Sequence, residues 1–464
     1  MSMILHPPKL PSGESDSLSR SEHLRKFGLY FQKIGEVDLA MSVYDRVLEL
    51  GGDDADVRFN MGSARLSQTR PRAAINHFEA ALRLDPRCAG AHLGLANSQR
   101  QIGDLISAEA NLRQEMVITP GSAEAAVNLG WVLEEQNRTA DALRHYQQAL
   151  RSHPNHADLR WNHALVRLKL GDYPTGWAEY EWRWPAQKKD KPVFDQPEWD
   201  GSPLRGRRLL VYGEQGLGDT LMFTRFGRKL ALAGAAVLLR CQPSLKRLLQ
   251  QNREWTEVNN LEEPLPEFDV HVPIMSLPRL LNEHHETNLY PGPYLNPPLE
   301  PPANVPLAPQ RNMKICVTWG CNPGSPSHTK RSVPYEIFQR LFEQPDCHFY
   351  NVQVNAEATA IADMNRRANV HDLSQHLRDF ADTAAVVRDS DLVITVDTAL
   401  AHLAGGLGKP VWTLVPFSGD WRWLMNRSDS PWYPTMRLFR QTNLGDWESV
   451  IADITHCLTR RVRH

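Results

Sequence analysis

Two short segments in the second half of the chain bring together the residue types that phosphate and proton chemistry needs. The first is GEQGLGD, in which Gly213, Gly216 and Gly218 lie between an apolar run and a helical stretch. A glycine-rich turn of this kind lines up backbone N–H groups, and Asp219 closes it at the start of the helix. A carboxylate there can cap orphan N–H groups or project into a cleft as a general base. Two nucleotide readings are excluded. No Gly-Lys-Ser/Thr follows, so this is not a P-loop. The glycine spacing differs from the dinucleotide fingerprint, and the next apolar run ends near Arg240 rather than at an acidic residue for a ribose.

The second segment is DLVITVDTALAHLAGGLGKPVW (391–412). An apolar strand ends at Val396, Asp397 and Thr398 follow, and a helix of small residues begins at once. This leaves the N–H groups of Thr398, Ala399, Leu400 and Ala401 at the positive end of a helix dipole, a seat suited to a pyrophosphate. His402, one turn in, offers a further donor or proton. Gly405, Gly406 and Gly408 keep the helix close to its sheet and end it before Lys409-Pro410. The plain alternative is an ordinary strand-to-helix turn with a capping Asp.

These segments need strands behind them. Short apolar runs with β character occur at 209–213, 235–241 and 270–274, and again at 314–320, 348–354, 391–396 and 411–416. Helical stretches alternate with them, which predicts parallel βαβ units. Between the two sets lies PGPYLNPPLEPPANVPLAPQR (291–311), with eight Pro in 21 residues, the composition of a linker. Two small doubly wound lobes joined by such a linker describe a GT-B-like architecture, with ligands at the C-terminal ends of the strands.

The first half is organised differently. Small residues recur every 34 positions at Gly28, Gly62, Ala96, Gly130 and Ala164, and again at Ala40, Ala74, Ala108, Ala142 and Gly176. A bulky series follows at Tyr44, Phe78, Leu112, Tyr146 and Tyr180, and Pro86, Pro120 and Pro154 close three of the units. A small residue lets two helices approach, a bulky one fills the gap to the next pair, and Pro ends the second helix. The pattern resembles the tetratricopeptide repeat, in five helix pairs. The series Asn60, Gly94, Asn128, Asn162 lies on the first helix of each unit and resembles the asparagine ladder in the repeats of O-linked N-acetylglucosamine transferase. Such a row could hold the backbone of an extended peptide, or the Asn side chains could bond neighbouring helices. In WAEYEWRWP, Trp177, Trp182 and Trp184 supply the apolar area with which a repeat array docks onto the next part of the chain.

GLGDTLMFTRF (216–226) and VDTALAHLAG (396–405), with DFADTAAVV (379–387) upstream, resemble the heptosyltransferase-type glycosyltransferases. The resemblance spans about residues 207–460 and implies a function. Asp219 would be the catalytic base. Asp397, Thr398, Ala399, Leu400, Ala401 and His402 would hold the donor diphosphate, Lys330 and Arg331 would stand beside it, and Gln353 would contact the base or ribose. No cofactor is implied, because the nucleotide-diphosphate sugar is a co-substrate. The resemblance departs in two places: Ala399 replaces a common Gly, and the first lobe is short, which leaves room for the repeats to form part of the acceptor site. In the stretch 417–441, Trp421, Trp423, Trp432 and Tyr433 can pack a long loop onto the sheet or stack on a base or sugar, with Asp420 and Arg422 within reach of the cleft.

The expected organisation is therefore a disordered lead (1–20), an α-solenoid (21–190), a connector (191–206), a first α/β lobe (207–290), the Pro-rich linker (291–311) and a second lobe (312–464). The expected activity is inverting, metal-independent sugar transfer to a protein or glycan acceptor; the rival is a scaffold that binds protein partners through the concave face of the repeats. A formal net charge of −2 offers no basic field for nucleic acid. Six scattered Cys without a CxxC pair argue against zinc and disulfides. The longest apolar run, 230–239, is about half of a membrane span, and the N-terminus lacks a signal-peptide pattern, so a cytoplasmic protein without a transmembrane segment is expected.

Overall fold

The computed structural model describes residues 17–283, 292–299, 312–325 and 327–462. Most of the expected lead and of the Pro-rich linker lies outside them. The chain divides into two compact units, one ending at His163 and the other starting at Ala164.

The first unit is a series of paired helices: α1 (Ser17–Lys33) with α2 (Val37–Glu49), α3 (Ala55–Ser67) with α4 (Pro71–Leu84), α5 (Ala91–Gln101) with α6 (Leu105–Ile118), and α7 (Ala123–Glu135) with α8 (Thr139–Ser152). A ninth helix, α9 (Ala157–Lys169), runs across the division, and α10 (Tyr173–Glu179) pairs with it in sequence order. The 34-residue register has a direct steric cause. A Cβ added at Gly130 would lie 2.0 Å from Cζ of Tyr146, so the small and bulky series touch each other within a pair. Side-chain caps start several helices, with Asp54 accepting from the Val57 N–H at 2.9 Å and Ser122 from that of Ala125 at 3.2 Å. One periodic feature escapes a reading based on hydrophobic pattern. Gly35, Thr69, Gly103, Asn137 and Gly171, again 34 apart, all take the left-handed conformation in the turn inside each pair.

In the second unit, α10 buries Trp177 edge-on against Phe223 and Trp421, with ring centroids 5.8 and 5.2 Å apart. Two parallel sheets follow. The first contains β1 (Arg208–Tyr212), β2 (Ala236–Cys241), β3 (Glu257–Asn260) and β4 (Val270–Pro273), in the order β3-β2-β1-β4. The second contains β5 (Met313–Thr318), β6 (Cys347–Asn351), β7 (Val370–Asp372), β8 (Leu392–Val396), β9 (Val411–Val415) and β10 (Met436–Arg440), in the order β10-β9-β8-β5-β6-β7. All registered pairs are parallel. Each order reverses direction once, between β1 and β4 and between β5 and β8. Open α/β sheets bind ligands at such reversals, beyond the carboxyl ends of the strands.

Strands β3, β7 and β10 have no counterpart in the expected set. β3 has Val258 as its one apolar residue, β7 has three residues, and β10 is interrupted by Arg437 and ends on Arg440, so none presents the continuous apolar run that marks a buried strand. Within the expected connector, Glu198 bridges to His271, and the Trp199 N–H donates to the His271 carbonyl at 2.8 Å. The single helix expected after the glycine turn is three short pieces, Leu217–Phe223, Thr224–Phe226 (3-10) and Gly227–Leu232. Inside this bend Arg225 is buried. Its guanidinium lies 5.1, 5.2 and 4.8 Å from the rings of Tyr294, Trp432 and Tyr433.

Candidate functional site

Beyond β1 the chain turns through Glu214. This carboxylate is itself a structural centre that the sequence pattern did not reveal. Arg183 reaches it with Nε–Oε2 at 2.8 Å and Nη2–Oε1 at 2.9 Å, and the Met275 N–H after β4 donates to Oε1 at 3.1 Å. Glu214 thus ties the reversal between β1 and β4. Burial raises its pKa, and the charge of Arg183 opposes the rise.

Asp219 is the third residue of helix Leu217–Phe223. Its Oδ2 accepts from the Gly216 N–H at 2.9 Å, so the capping role left open in the sequence is filled. Its Oδ1 is held by Nη2 of Arg422. The glycines of the turn serve close approach. A Cβ at Gly218 would stand 2.9 Å from Cδ2 of His402 and 3.4 Å from Cα of Ala399, so this turn rests on the start of helix Ala399–Gly406.

That helix start lies at the second reversal. Thr318 at the end of β5 and Thr395 near the end of β8 share a hydrogen bond of 2.7 Å, and Thr395 shares another of 3.2 Å with Thr398. Thr398 is the N-cap residue in extended conformation. The Ala401 N–H turns back to the Thr398 carbonyl at 3.1 Å, which corrects the expected row of four available amides. Ala399 and Leu400 carry the remaining first-turn N–H groups.

Asp397 is buried beside Arg331, with Oδ2 at 3.7 Å from Nη1. Burial pushes its pKa up, the Asp420 charge adds to the rise, and Arg331 opposes it. His402 is buried. Its Nδ1 shares a hydrogen bond of 2.9 Å with the Tyr433 hydroxyl, and its ring stacks on Trp423 at 5.4 Å and 15°. Burial drives its pKa well below the usual range, and Arg422, Arg225 and Arg331 act the same way, so the imidazole is neutral. A neutral ring contributes packing and, beyond the bond to Tyr433, at most one further hydrogen bond through Nε2, not a positive charge.

Other expected site residues sit further out. Lys330 is exposed on the short helix His328–Arg331. Gln353 uses Oε1 to accept from the N–H groups of Trp319 and Gly320, at 2.9 and 2.7 Å, and so shapes the loop after β5. In the first unit, Asn128 donates to Asn97 at 3.1 Å. Asn162 accepts from the Trp131 indole at 2.9 Å and donates to the Asp158 carbonyl at 2.8 Å. These two are buried and spend their carboxamides inside the scaffold, while Asn60 is half-buried. The break at Gly94 has a packing cause: a Cβ there would meet Cζ of Phe78 at 2.4 Å.

The structure therefore brings Asp219, Asp397, His402 and Arg331 into one neighbourhood and adds Asp420 and Arg422 to it. Arg422 Nη1 binds Asp420 at 2.7 Å, and its guanidinium lies 4.2 Å from the Trp421 ring centroid. Burial disfavours its charge, but Asp420 and Asp219 more than offset this. Among the described residues no group of three or more His, Cys, Asp or Glu is arranged to hold a metal ion, and no helix is long and apolar enough to cross a membrane.

Known proteins place the helical part in a class. The tetratricopeptide repeat family matches residues 59–123 and 127–180, and the chain carries these repeats, which support binding of protein partners. Over 445 residues the chain is 26% identical to Protein FlbA of Caulobacter vibrioides, a match that covers 88% of this chain and 73% of that protein. Among solved structures, pilF of Pseudomonas aeruginosa is 17% identical and covers 38% of this chain and 79% of its own, with a TM-score of 0.34. A thermophilic tetratricopeptide repeat protein of Thermus thermophilus is 19% identical and covers 37% and 93%, with a TM-score of 0.31.

Proposed function

We propose that the second unit is a GT-B-type inverting glycosyltransferase that moves a sugar from a nucleotide-diphosphate donor to a protein or glycan acceptor, with the repeats helping to position the acceptor. The observation that carries this reading is the approach of the Asp219 turn to the start of helix Ala399–Gly406, each at the carboxyl edge of a parallel sheet. A base on one side and an anion seat on the other are what the chemistry needs. The acceptor O–H bond breaks as its proton passes to Asp219. The acceptor oxygen forms a bond to the anomeric carbon, and the bond from that carbon to the phosphate oxygen breaks, with its electron pair leaving on the nucleoside diphosphate. The amides of Ala399 and Leu400, with Arg331 and Arg422, would stabilise the departing charge without a metal.

A second reading has its own support. Both Asp219 oxygens are occupied, one by Gly216 and one by Arg422, as in a scaffold that keeps the shape of such a site without its activity.

A thermal-shift series with UDP-, GDP- and ADP-sugars separates the two, since a ligand bound only by the native state raises the melting temperature. The transferase reading expects at least one donor to stabilise the protein, and Asp219→Asn to reduce transfer by about 10²–10⁴-fold. If no donor stabilises the protein, the scaffold reading stands.

A further inference from the structure

Three carboxylates, Asp219, Asp397 and Asp420, face two guanidinium groups, Arg331 and Arg422, in one neighbourhood. Arg422 is 8 % exposed, and neither its Nε nor that of Arg331 has a hydrogen-bond partner. Buried donors without acceptors are costly, and two guanidinium Nε atoms of this kind in one neighbourhood mark a site that can take a further acceptor. These guanidinium donors and the positive dipole of the helix start at Ala399 suit the oxygen acceptors of an anionic group that competes with the carboxylates for them.

The partners of Arg422 also differ in kind. Asp420 lies two residues away and caps the Arg422 backbone N–H at 3.0 Å, so it travels with the arginine. Asp219 is 203 residues away and meets Arg422 only through the side chain. Trp421 supports the guanidinium from one face and is itself wedged against Trp177. A rotation of the guanidinium can therefore release Asp219 without moving the backbone.

We propose that Arg422 and Asp219 form a latch that the donor's diphosphate opens. The latch rests on the glycosyltransferase reading and adds a binding order to it. With no donor bound, Asp219 is paired to a cation and cannot take a proton from an acceptor. When the diphosphate enters, Arg422 turns from carboxylate oxygen to phosphate oxygen, and Asp219 is free for the acceptor hydroxyl. The donor then binds first, and the base acts only when a sugar is in place to be transferred.

The test uses nucleoside diphosphates alone (UDP, GDP and ADP) titrated calorimetrically into the full-length protein. Arg422→Gln should weaken binding of the nucleotide that the wild type takes by about tenfold, and Asp219→Asn should tighten it by about tenfold, because the competing carboxylate is gone. In the double variant the Asp219→Asn gain should vanish, since it acts only through Arg422. Asp219→Ala should change binding in the same direction as Asp219→Asn, which guards against an effect peculiar to the amide. A gain that persists without Arg422, or unchanged binding in both Asp219 variants, overturns the latch while leaving the glycosyltransferase reading in place. If none of the three nucleotides binds the wild type, both fall together.

Discussion

Arg247 clasps Asp379 through two parallel hydrogen bonds, Nε–Oδ2 at 2.8 Å and Nη2–Oδ1 at 2.7 Å, while Asp379 caps the helix Phe380–Arg388 through the N–H groups of Ala381 and Asp382. Helix Pro243–Leu249 beside the first sheet is thereby joined to a helix beside the second. Asp382 extends the clasp, accepting from Arg247 and, at 2.9 Å, from Arg378.

This clasp should make the second unit sensitive to acid. Burial alone would raise the Asp382 pKa, but the bonds from Arg378 and Arg247 bring it from the usual 3.8 down to about 2. A carboxyl depressed in the folded state stabilises fully above its unfolded pKa and loses that contribution as pH falls through the folded one. The contribution is therefore complete above about pH 4 and disappears towards pH 2. Calorimetry across pH should show Asp382→Asn lowering the melting temperature by about 2–4 °C near neutrality and flattening the decline below pH 4. Parallel wild-type and variant curves in that range would count against the clasp.

The Arg183–Glu214 pair is 1 % and 3 % exposed at its side chains, so neither charge can be repaid by water if the other is removed. Glu214→Gln or Arg183→Met alone should cost about 3–5 kcal/mol in denaturant unfolding. The double replacement should cost less than the sum of the two, because it leaves no stranded ion. Additive losses would show that the pair is incidental to stability.

Completing the asparagine row should harm the first unit. Gly94→Asn places a side chain where the Phe78 ring already lies, an overpacking worth about 1–3 kcal/mol. Pairing it with Phe78→Leu should recover part of the loss. Equal stability of Gly94→Asn and wild type in urea, followed by helical signal, would dismiss the steric account.

The residues of the candidate site were legible to different degrees. Asp219, Asp397 and Thr398 stand at abrupt strand-to-helix turns, and a turn is a local event written in neighbouring residue types. Arg422 could be seen as near the cleft, yet its partner could not, because nothing in a sequence of Asp, Trp, Arg and Trp says which distant carboxylate it meets. His402 was read as a donor, but its place under Trp423 and Tyr433 makes it a neutral packed ring. Asn128 and Asn162 show the same limit: a carboxamide at a repeating position is equally able to face a ligand or a neighbouring helix, and only packing decides.

The sequence by itself determined the 34-residue helix pairs and seven of the strands, because helix contacts within a repeat and apolar strand cores are set by residues a few positions apart. Only the tertiary structure decided that Asp219 meets Arg422, that Arg183 meets Glu214, and that Gly218 rests on the start of helix Ala399–Gly406. Those meetings depend on the order of strands in two sheets and on how they are brought together. Pairing over such separations is governed by the geometry of the whole unit rather than by any local pattern.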